Sequence, residues 1–136
     1  MRLAVLDTNV IVSAGWKMGG VPYRLVMDWV LAGQVQLVTC GTIVAEYREV
    51  LHQPKFTRHG FPPDWLEDLI EVSLQLPDPA PWPHAIPDAK DAPFLALAHM
   101  AGAWLVTGNL KHSPEKARHG VTVVSPGEYL ERLERR

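Results

Sequence analysis

The side chains best suited to chemistry in this sequence are three carboxylates and one amide that lie far apart along the chain. They are Asp7, Glu46, Asp91 and Asn109. Carboxylate oxygens without nearby cysteine or histidine ligands favour a hard cation such as Mg²⁺ or Mn²⁺. Such an ion stabilises charge on a phosphoryl group and lowers the pKa of an attacking water. We therefore expect a divalent-metal site for phosphodiester cleavage, provided that the fold brings these residues together.

The elements that would position them alternate between strands and helices. Short apolar runs predict strands at residues 3–6, 35–38, 104–106 and 121–124. Helical spacing and helix-start residues predict helices from Pro22 to about Ala32, from Thr42 (with Thr42 or Gly41 as the N-cap) to Pro54, from Pro62 through Leu76, from Asp91 to about Gly102, and from Pro126. Glycines 15, 19 and 20 predict a loop, and the prolines after Leu76 predict an extended connector. This order predicts a parallel sheet with helices on both faces.

In a parallel α/β sheet, sites form at the carboxyl ends of the strands. Asp7 and Asn109 each follow a predicted strand, Glu46 lies one turn into the helix after the second strand, and Asp91 begins a helix. All four therefore converge on one edge of the sheet. Each also has a simpler role: Asp91 as a helix cap, Glu46 as a solvated charge and Asn109 as a turn residue.

The bulk properties limit the class of protein. With 136 residues, we expect one domain over residues 1–136. A net charge of −2 gives no sign of a nucleic-acid or membrane partner, so RNA would need a local basic patch. The single cysteine, Cys40, indicates a reducing compartment and reads as a small buried hydrophobe. We expect a cytoplasmic protein without a membrane-spanning segment.

Four segments carry a resemblance to a known family. They are Val5–Val10, Ile43–Leu51, Asp88–Ala98 and Gly102–Asn109, and they span nearly the whole chain. In this order they resemble the PIN-domain family, in particular the prokaryotic group of toxin components from toxin–antitoxin systems.

The resemblance implies a three-layer α/β/α domain and an endoribonuclease that depends on Mg²⁺ or Mn²⁺. It implies metal ligation by Asp7, Glu46 and Asp91, with Asn109 at the place of a further acid, and it matches Asp88 to an additional acid. It implies that Thr8, Asn9 and Thr107 orient the carboxylates. Asn109 is the departure, because an amide contributes no charge, and we hypothesise that Asp88 compensates for it. The resemblance also implies an RNA substrate and an antitoxin partner.

Two basic clusters are candidate RNA contacts. The first is Lys55, Arg58 and His59, for which an ordinary solvated loop is an equal alternative; the second follows Asn109 and comprises Lys111, His112, Lys116, Arg118 and His119. We expect Trp16 and Trp82 to anchor loops, with base stacking as the alternative, and His99 to be a core histidine.

Three questions stay open at this stage. A module that binds RNA or a partner with a decayed site is the main alternative function, and Asn109 favours it. A phosphatase with Asp7 as nucleophile is disfavoured, since Asn9 stands where a second acid is usual. The apolar residues Val26, Trp29 and Val30 suit either a homodimer face or the core.

Overall fold

The computed structural model describes residues 2–135 and contains one five-stranded, all-parallel sheet between layers of helices. The strands are β1 (Arg2–Leu6), β2 (Val35–Cys40), β3 (Leu74–Leu76), β4 (Trp104–Val106) and β5 (Val123–Val124). The helices are α1 (Thr8–Trp16), α2 (Val21–Arg24), α3 (Gly41–Leu51), α4 (Pro54–Thr57), α5 (Leu66–Val72), α6 (Ala92–Ala101) and α7 (Pro126–Glu134). The predicted α/β/α class is confirmed.

The strand order β3–β2–β1–β4–β5 places β1 at the centre of the sheet. Its residues Ala4, Val5 and Leu6 are fully buried, as expected for a strand covered on both faces. Leu6 is paired with Val106, so the ends of β1 and β4 lie side by side. The residues that follow these two strands are therefore brought together by the sheet itself.

The helix predicted from Pro62 through Leu76 is wrong in its second half. Helix α5 ends at Val72, and Leu74–Leu76 instead forms the edge strand β3, paired with Val38–Cys40 of β2. The Ser73 hydroxyl donates to the carbonyl of Ile70 and also contacts Thr39 at 2.8 Å. These bonds close the helix and fasten the turn to β2, which favours the strand over a further helical turn.

A helix not predicted from the sequence, α1, begins immediately after Asp7 and includes Gly15. A Cβ at Gly15 would lie 3.0 Å from the ring of Phe61, so the glycine lets α1 pack closely against that ring. Gly15 thus serves packing rather than a loop. Strand β5 covers only the second half of the predicted strand 121–124.

Other helix boundaries also differ from the predictions. Helix α2 begins one residue before Pro22 and continues as a π-helical turn, Leu25–Val30, before Gly33 adopts a positive φ of 82°. Helix α3 ends at Leu51, and Pro54 begins the short α4 instead of ending α3. The four prolines after Leu76 lie in an extended segment, as predicted.

The N-cap expected for α3 is wrong, because Cys40 stands at that place, whereas Asp91 is the N-cap residue of α6 as predicted. At α3 the side chain of Asp78, from the proline-rich segment, accepts from Thr42 N at 3.1 Å and from the Thr42 hydroxyl at 2.9 Å. At α6 the side chain of Asp91 makes no capping bond; Asp88 instead accepts from Lys90 N at 3.0 Å, at the start of a 3-10 turn, Ala89–Asp91. The Asp91 carboxylate is thereby left available for other contacts.

The apolar residues considered for a dimer face belong to the core. Val26 and Val30 are buried, and Trp29 is partly buried against the core cluster. Cys40 is buried as predicted, whereas His99, expected in the core, is exposed and lies beside Trp82. Among residues 2–135, no helix is both long and apolar enough to cross a membrane.

Candidate metal and catalytic site

Asp7 lies at the carboxyl edge of the sheet, where β1 passes into α1. Its backbone N–H donates to the carbonyl of Val106 at 2.9 Å, which fixes it beside the end of β4. The first residue after β4 is Thr107, whose hydroxyl donates to Asp7 Oδ2 at 2.7 Å. Asn9 Nδ2 donates to the same oxygen at 3.3 Å. The polar residues predicted to orient the carboxylates, Thr107 and Asn9, therefore contact Asp7 directly.

The Asp7 carboxylate is held where solvent reaches it poorly, because only 9% of the residue is exposed. Burial raises its pKa, and the hydrogen bond from Thr107 opposes this rise, together with backbone N–H groups of Thr8 and Asn9. A buried carboxylate with a raised pKa is stabilised in its charged form by a neighbouring cation. The Asp7 carboxylate is therefore suited to bind a metal ion.

Glu46 reaches the same edge from α3. The hydroxyl of Thr8, the residue after Asp7, donates a hydrogen bond to Glu46 Oε2. Next to Glu46 on the helix, the buried Tyr47 hydroxyl donates to the carbonyl of Leu6 and so ties α3 to the end of β1. Burial raises the Tyr47 pKa well above its usual range, and the charges of Asp7 and Glu46 raise it further. Asp7 and Glu46 therefore share one electrostatic environment.

Asp91 faces the site from the start of α6. Its pKa is raised first by burial and then by the negative charge of Asp7, while His112 lowers it. Asp88, Asp91 and His112 each offer a ligand atom, and these three atoms lie within 4.8 Å of one another. In the part of the chain that the structure describes, this is the one group of three such side chains, and neither Asp7 nor Glu46 belongs to it.

His112 lies at the candidate site, which the sequence interpretation did not predict. We expected carboxylates without a histidine ligand nearby and assigned His112 to RNA, but its Nδ1 lies 3.2 Å from Asp91 Oδ2. A 3-10 turn, Leu110–His112, returns the chain to the sheet edge after Asn109. The sequence signal was the position of His112, only three residues beyond a predicted site residue.

Asn109 contributes mainly through its backbone. Its N–H donates to the Thr107 hydroxyl at 3.1 Å, and the N–H of Gly108 donates to Asn9 Oδ1 at 3.1 Å. The residue itself is exposed. The turn after β4 is thus bonded to the polar residues around Asp7, and the Asn109 amide borders the site without adding a charge.

The remaining candidate RNA contacts divide into two kinds. Lys111 and Lys116 are exposed on successive turns after Asn109. Arg118 is half-buried, and its Nε donates to the carbonyl of Ser113 at 2.7 Å, so it holds this loop together. Trp82 is partly buried against the core, whereas Trp16 is 54% exposed and lies edge-on to Phe56.

The arrangement agrees with a match between this sequence and the sequence model of the PIN domain over residues 3–111. The chain belongs to the PIN-domain family. The match ends just after the turn that follows β4, so it includes Asp7, Glu46, Asp91 and Asn109. Among curated proteins, none matches the sequence of this chain.

Solved structures share the fold of this PIN domain at low sequence identity. VapBC2 from Rickettsia felis, bound to a DNA fragment from its promoter, matches with a TM-score of 0.63 and 17% identity over 91% of this chain and 98% of that one. PAE2754 from Pyrobaculum aerophilum matches with a TM-score of 0.62 and 14% identity over 99% of this chain and 91% of that one. FitAB bound to an IR36 DNA fragment matches with a TM-score of 0.58 and 20% identity over 90% of this chain and 94% of that one.

Proposed function

We propose that this PIN domain is a metal-dependent endoribonuclease and the toxin of a toxin–antitoxin pair. The observation that carries the enzymatic part is the convergence of Asp7, Glu46 and Asp91 on one edge of the sheet. The charge of Asp7 raises the pKa of Asp91, and the charges of Asp7 and Glu46 both raise the pKa of Tyr47. Three like charges on one edge, of which Asp7 and Asp91 are shielded from solvent, favour a bound cation.

The donor set fits a divalent ion. Asp91 Oδ2 is shielded from solvent and lacks a hydrogen-bond partner, which leaves it free to bind an ion. Asp7, Glu46 and Asp91 would hold the ion, with Asp88 as an additional ligand. When bound, Mg²⁺ or Mn²⁺ supplies charge stabilisation at the phosphoryl group and lowers the pKa of a coordinated water.

The protein's own residues supply the geometry of this mechanism. Thr107 and Asn9 fix one oxygen of Asp7, and Thr8 fixes one oxygen of Glu46, so both carboxylates are oriented before substrate binds. Lys111 and Lys116, exposed beside the site, bind the RNA phosphates and place a scissile bond at the acidic edge. Water attacks the phosphorus in line and loses a proton to solvent, the bond from phosphorus to the leaving oxygen breaks, and that oxygen takes up a proton from solvent.

The toxin part rests on the resemblance of the sequence and on the fold shared with VapBC2 and FitAB. An antitoxin would cover the acidic edge, and an arginine is suited to pair with its carboxylates. We place this activity in the cytoplasm, where RNA is the available substrate. Co-purification of this chain with the product of an adjacent small reading frame tests the pairing.

Cleavage of mixed RNA in Mn²⁺ and in Mg²⁺ tests the enzymatic part. We expect cleavage that EDTA stops and that Asp7→Asn abolishes. Asp68→Asn, which neutralises an exposed carboxylate on α5, is the matched control and should retain full activity. Full cleavage by Asp7→Asn would contradict the proposal.

A second function is favoured by one observation, the neutral Asn109 at the place of a family acid. In this alternative the chain is a weakened PIN domain that binds RNA or a partner without cutting. The same assay decides between them, since RNA binding without cleavage by the unmodified chain supports the binding module.

A further inference from the structure

A ring nitrogen stands among the carboxylates of the candidate site. We propose that His112 binds the divalent ion through Nδ1, together with Asp91 and Asp88, so that the site is of mixed nitrogen and oxygen type. This inference rests on the metal-binding part of the proposed function, but it does not depend on RNA cleavage. It assigns His112 a role other than contact with RNA.

The distances suit ligands of one ion. Two ligands at about 2.1 Å from a cation lie about 3 Å apart when adjacent and about 4.2 Å apart when opposite. His112 Nδ1 lies 3.2 Å from Asp91 Oδ2, as adjacent ligands do. The ligand atoms of Asp88, Asp91 and His112 all lie within 4.8 Å of one another, close to the span of one coordination sphere.

The contact between His112 and Asp91 leaves the Asp91 oxygen without a hydrogen bond. Although His112 Nδ1 is close to Asp91 Oδ2, this buried oxygen has no hydrogen bond of acceptable geometry. In a hydrogen-bonded pair the ring nitrogen points at the oxygen, whereas two ligands of one ion point at a third place between them. Asp91 Oδ2 is shielded and has no hydrogen-bond partner although His112 Nδ1 lies 3.2 Å away, so both atoms remain available to an ion.

The environment of Asp91 favours a cation at that place. The Asp91 side chain is 17% exposed and lies near the charge of Asp7, while the His112 side chain is 36% exposed and reachable from solvent. An ion can therefore enter from the His112 side and reach the shielded oxygen. Since Asn109 brings no charge, a neutral imidazole replaces a missing ligand without restoring the missing charge.

This donor set changes the preferred ion. Both Mn²⁺ and Mg²⁺ bind well to oxygen ligands, but Mn²⁺, as a transition metal, accepts an imidazole nitrogen more readily than Mg²⁺, which keeps much of its water. The chain should therefore bind Mn²⁺ through His112 and depend on this residue less for Mg²⁺. A relative with an acid in place of Asn109 and without the histidine would show a weaker preference for Mn²⁺.

Electron spin echo spectroscopy of the Mn²⁺-loaded full chain tests the ligand directly. We expect ¹⁴N modulation from one imidazole in the unmodified protein, lost in His112→Ala and retained in His119→Ala, which removes another exposed histidine of the same region. Calorimetry should show Mn²⁺ affinity reduced about tenfold or more in His112→Ala, in the range known for losing a group that supports a metal site. Mg²⁺ affinity should fall about threefold or less, because oxygen ligands carry most of its binding.

The outcomes distinguish this inference from the proposed function. Absence of ¹⁴N modulation in the unmodified, Mn²⁺-loaded chain overturns the role of His112, whatever the variants do. Modulation that persists in His112→Ala overturns it as well. A chain that shows the His112 signal but leaves RNA intact supports the metal site and contradicts the nuclease.

Discussion

The Thr107 hydroxyl donates to Asp7 Oδ2 across 2.7 Å, although the two residues are 100 positions apart in the chain. The same hydroxyl accepts from Asn109 N at 3.1 Å. One side chain thus links the ends of β1 and β4 and orients the most buried carboxylate of the site. Because both bonds depend on a single oxygen, Thr107 is the clearest place to test how the site is built.

Thr107→Val keeps the side-chain shape but removes this oxygen. We expect the free energy of unfolding to fall by about 1–3 kcal/mol, since a shielded carboxylate oxygen and a backbone N–H each lose a partner. We also expect RNA cleavage to fall by about tenfold or more, the equivalent of about 1.4 kcal/mol in the barrier. Urea unfolding and a cleavage assay measure the two effects. Thr107→Ser, which keeps the hydroxyl, should stay near the unmodified protein, and equal losses in both variants would contradict the role of the hydrogen bonds.

The raised pKa of Asp7 predicts an unusual dependence of stability on pH. Because the folded chain holds this proton more tightly than the unfolded chain does, the contribution of Asp7 to stability is fully present below its ordinary pKa of 3.8 and is lost as the pH rises through the raised value. Asp7→Asn does not ionise there. In EDTA, the stability of the unmodified chain relative to Asp7→Asn should therefore decrease as the pH rises above 3.8.

Urea unfolding of both chains across this pH range measures the difference. Carboxyl groups with lowered pKa values, such as Glu67 and Asp78, act in the opposite direction but are common to both chains and cancel. At neutral pH, Mn²⁺ should raise the free energy of unfolding of the unmodified chain, because the ion binds the folded state. Stability curves that stay parallel across the range would show that Asp7 carries no burial penalty.

The sheet edge was predictable because its signals are local and strong. The apolar run Leu3–Leu6 is long enough to mark a buried strand, and the alternation of strands and helices fixes a parallel sheet, so Asp7 and Asn109 had to end near each other. The position of Glu46 at the same edge was predictable because this residue lies one turn into the helix after β2. The PIN-domain family was also recognisable from these same segments.

The errors arose where a distant partner outweighs a local preference. Leu74–Leu76 has no strand signature of its own and becomes β3 only because β2 offers a free edge. Asp78 caps α3 from a segment 36 positions away from Thr42, which no local pattern reveals. The approach of His112 to Asp91 was missed for the same reason, since only the folded turn after β4 brings the two residues together.

Asp78 provides a test of that distant cap. Asp78→Ala removes the acceptor for both the backbone N–H and the hydroxyl of Thr42, so we expect a lower melting temperature and weaker cleavage through loss of α3, which carries Glu46. Asp78→Asn keeps one acceptor oxygen, so its melting temperature should lie between those of Asp78→Ala and the unmodified chain. The pKa of Asp78 is lowered chiefly by the bond from Thr42 N, so its contribution is present above pH 3.8 and is lost as the pH falls through the lowered value. Melting curves at neutral and acid pH check this, and a deficit in Asp78→Ala that persists at low pH would contradict it.

The two basic clusters can be separated by RNA binding in an inactive background. Lys111 and Lys116 are exposed on the turns that follow Asn109, and Lys111 directly precedes His112, whereas Lys55 lies over the ring of Phe56 in the region of α4. With Asp7→Asn present in every protein, we expect Lys111→Ala with Lys116→Ala to weaken binding of single-stranded RNA. The slope of log affinity against log salt should become shallower by about 0.7 for each lysine that contacts a phosphate.

Lys55→Ala with Arg58→Ala removes the same charge at the other cluster and should leave both the affinity and the slope unchanged. Filter binding over a range of salt concentrations measures the affinity and the slope. Equal losses of affinity in the two double variants would mean that RNA binding depends on the overall charge of the protein and not on a binding site beside Asp91.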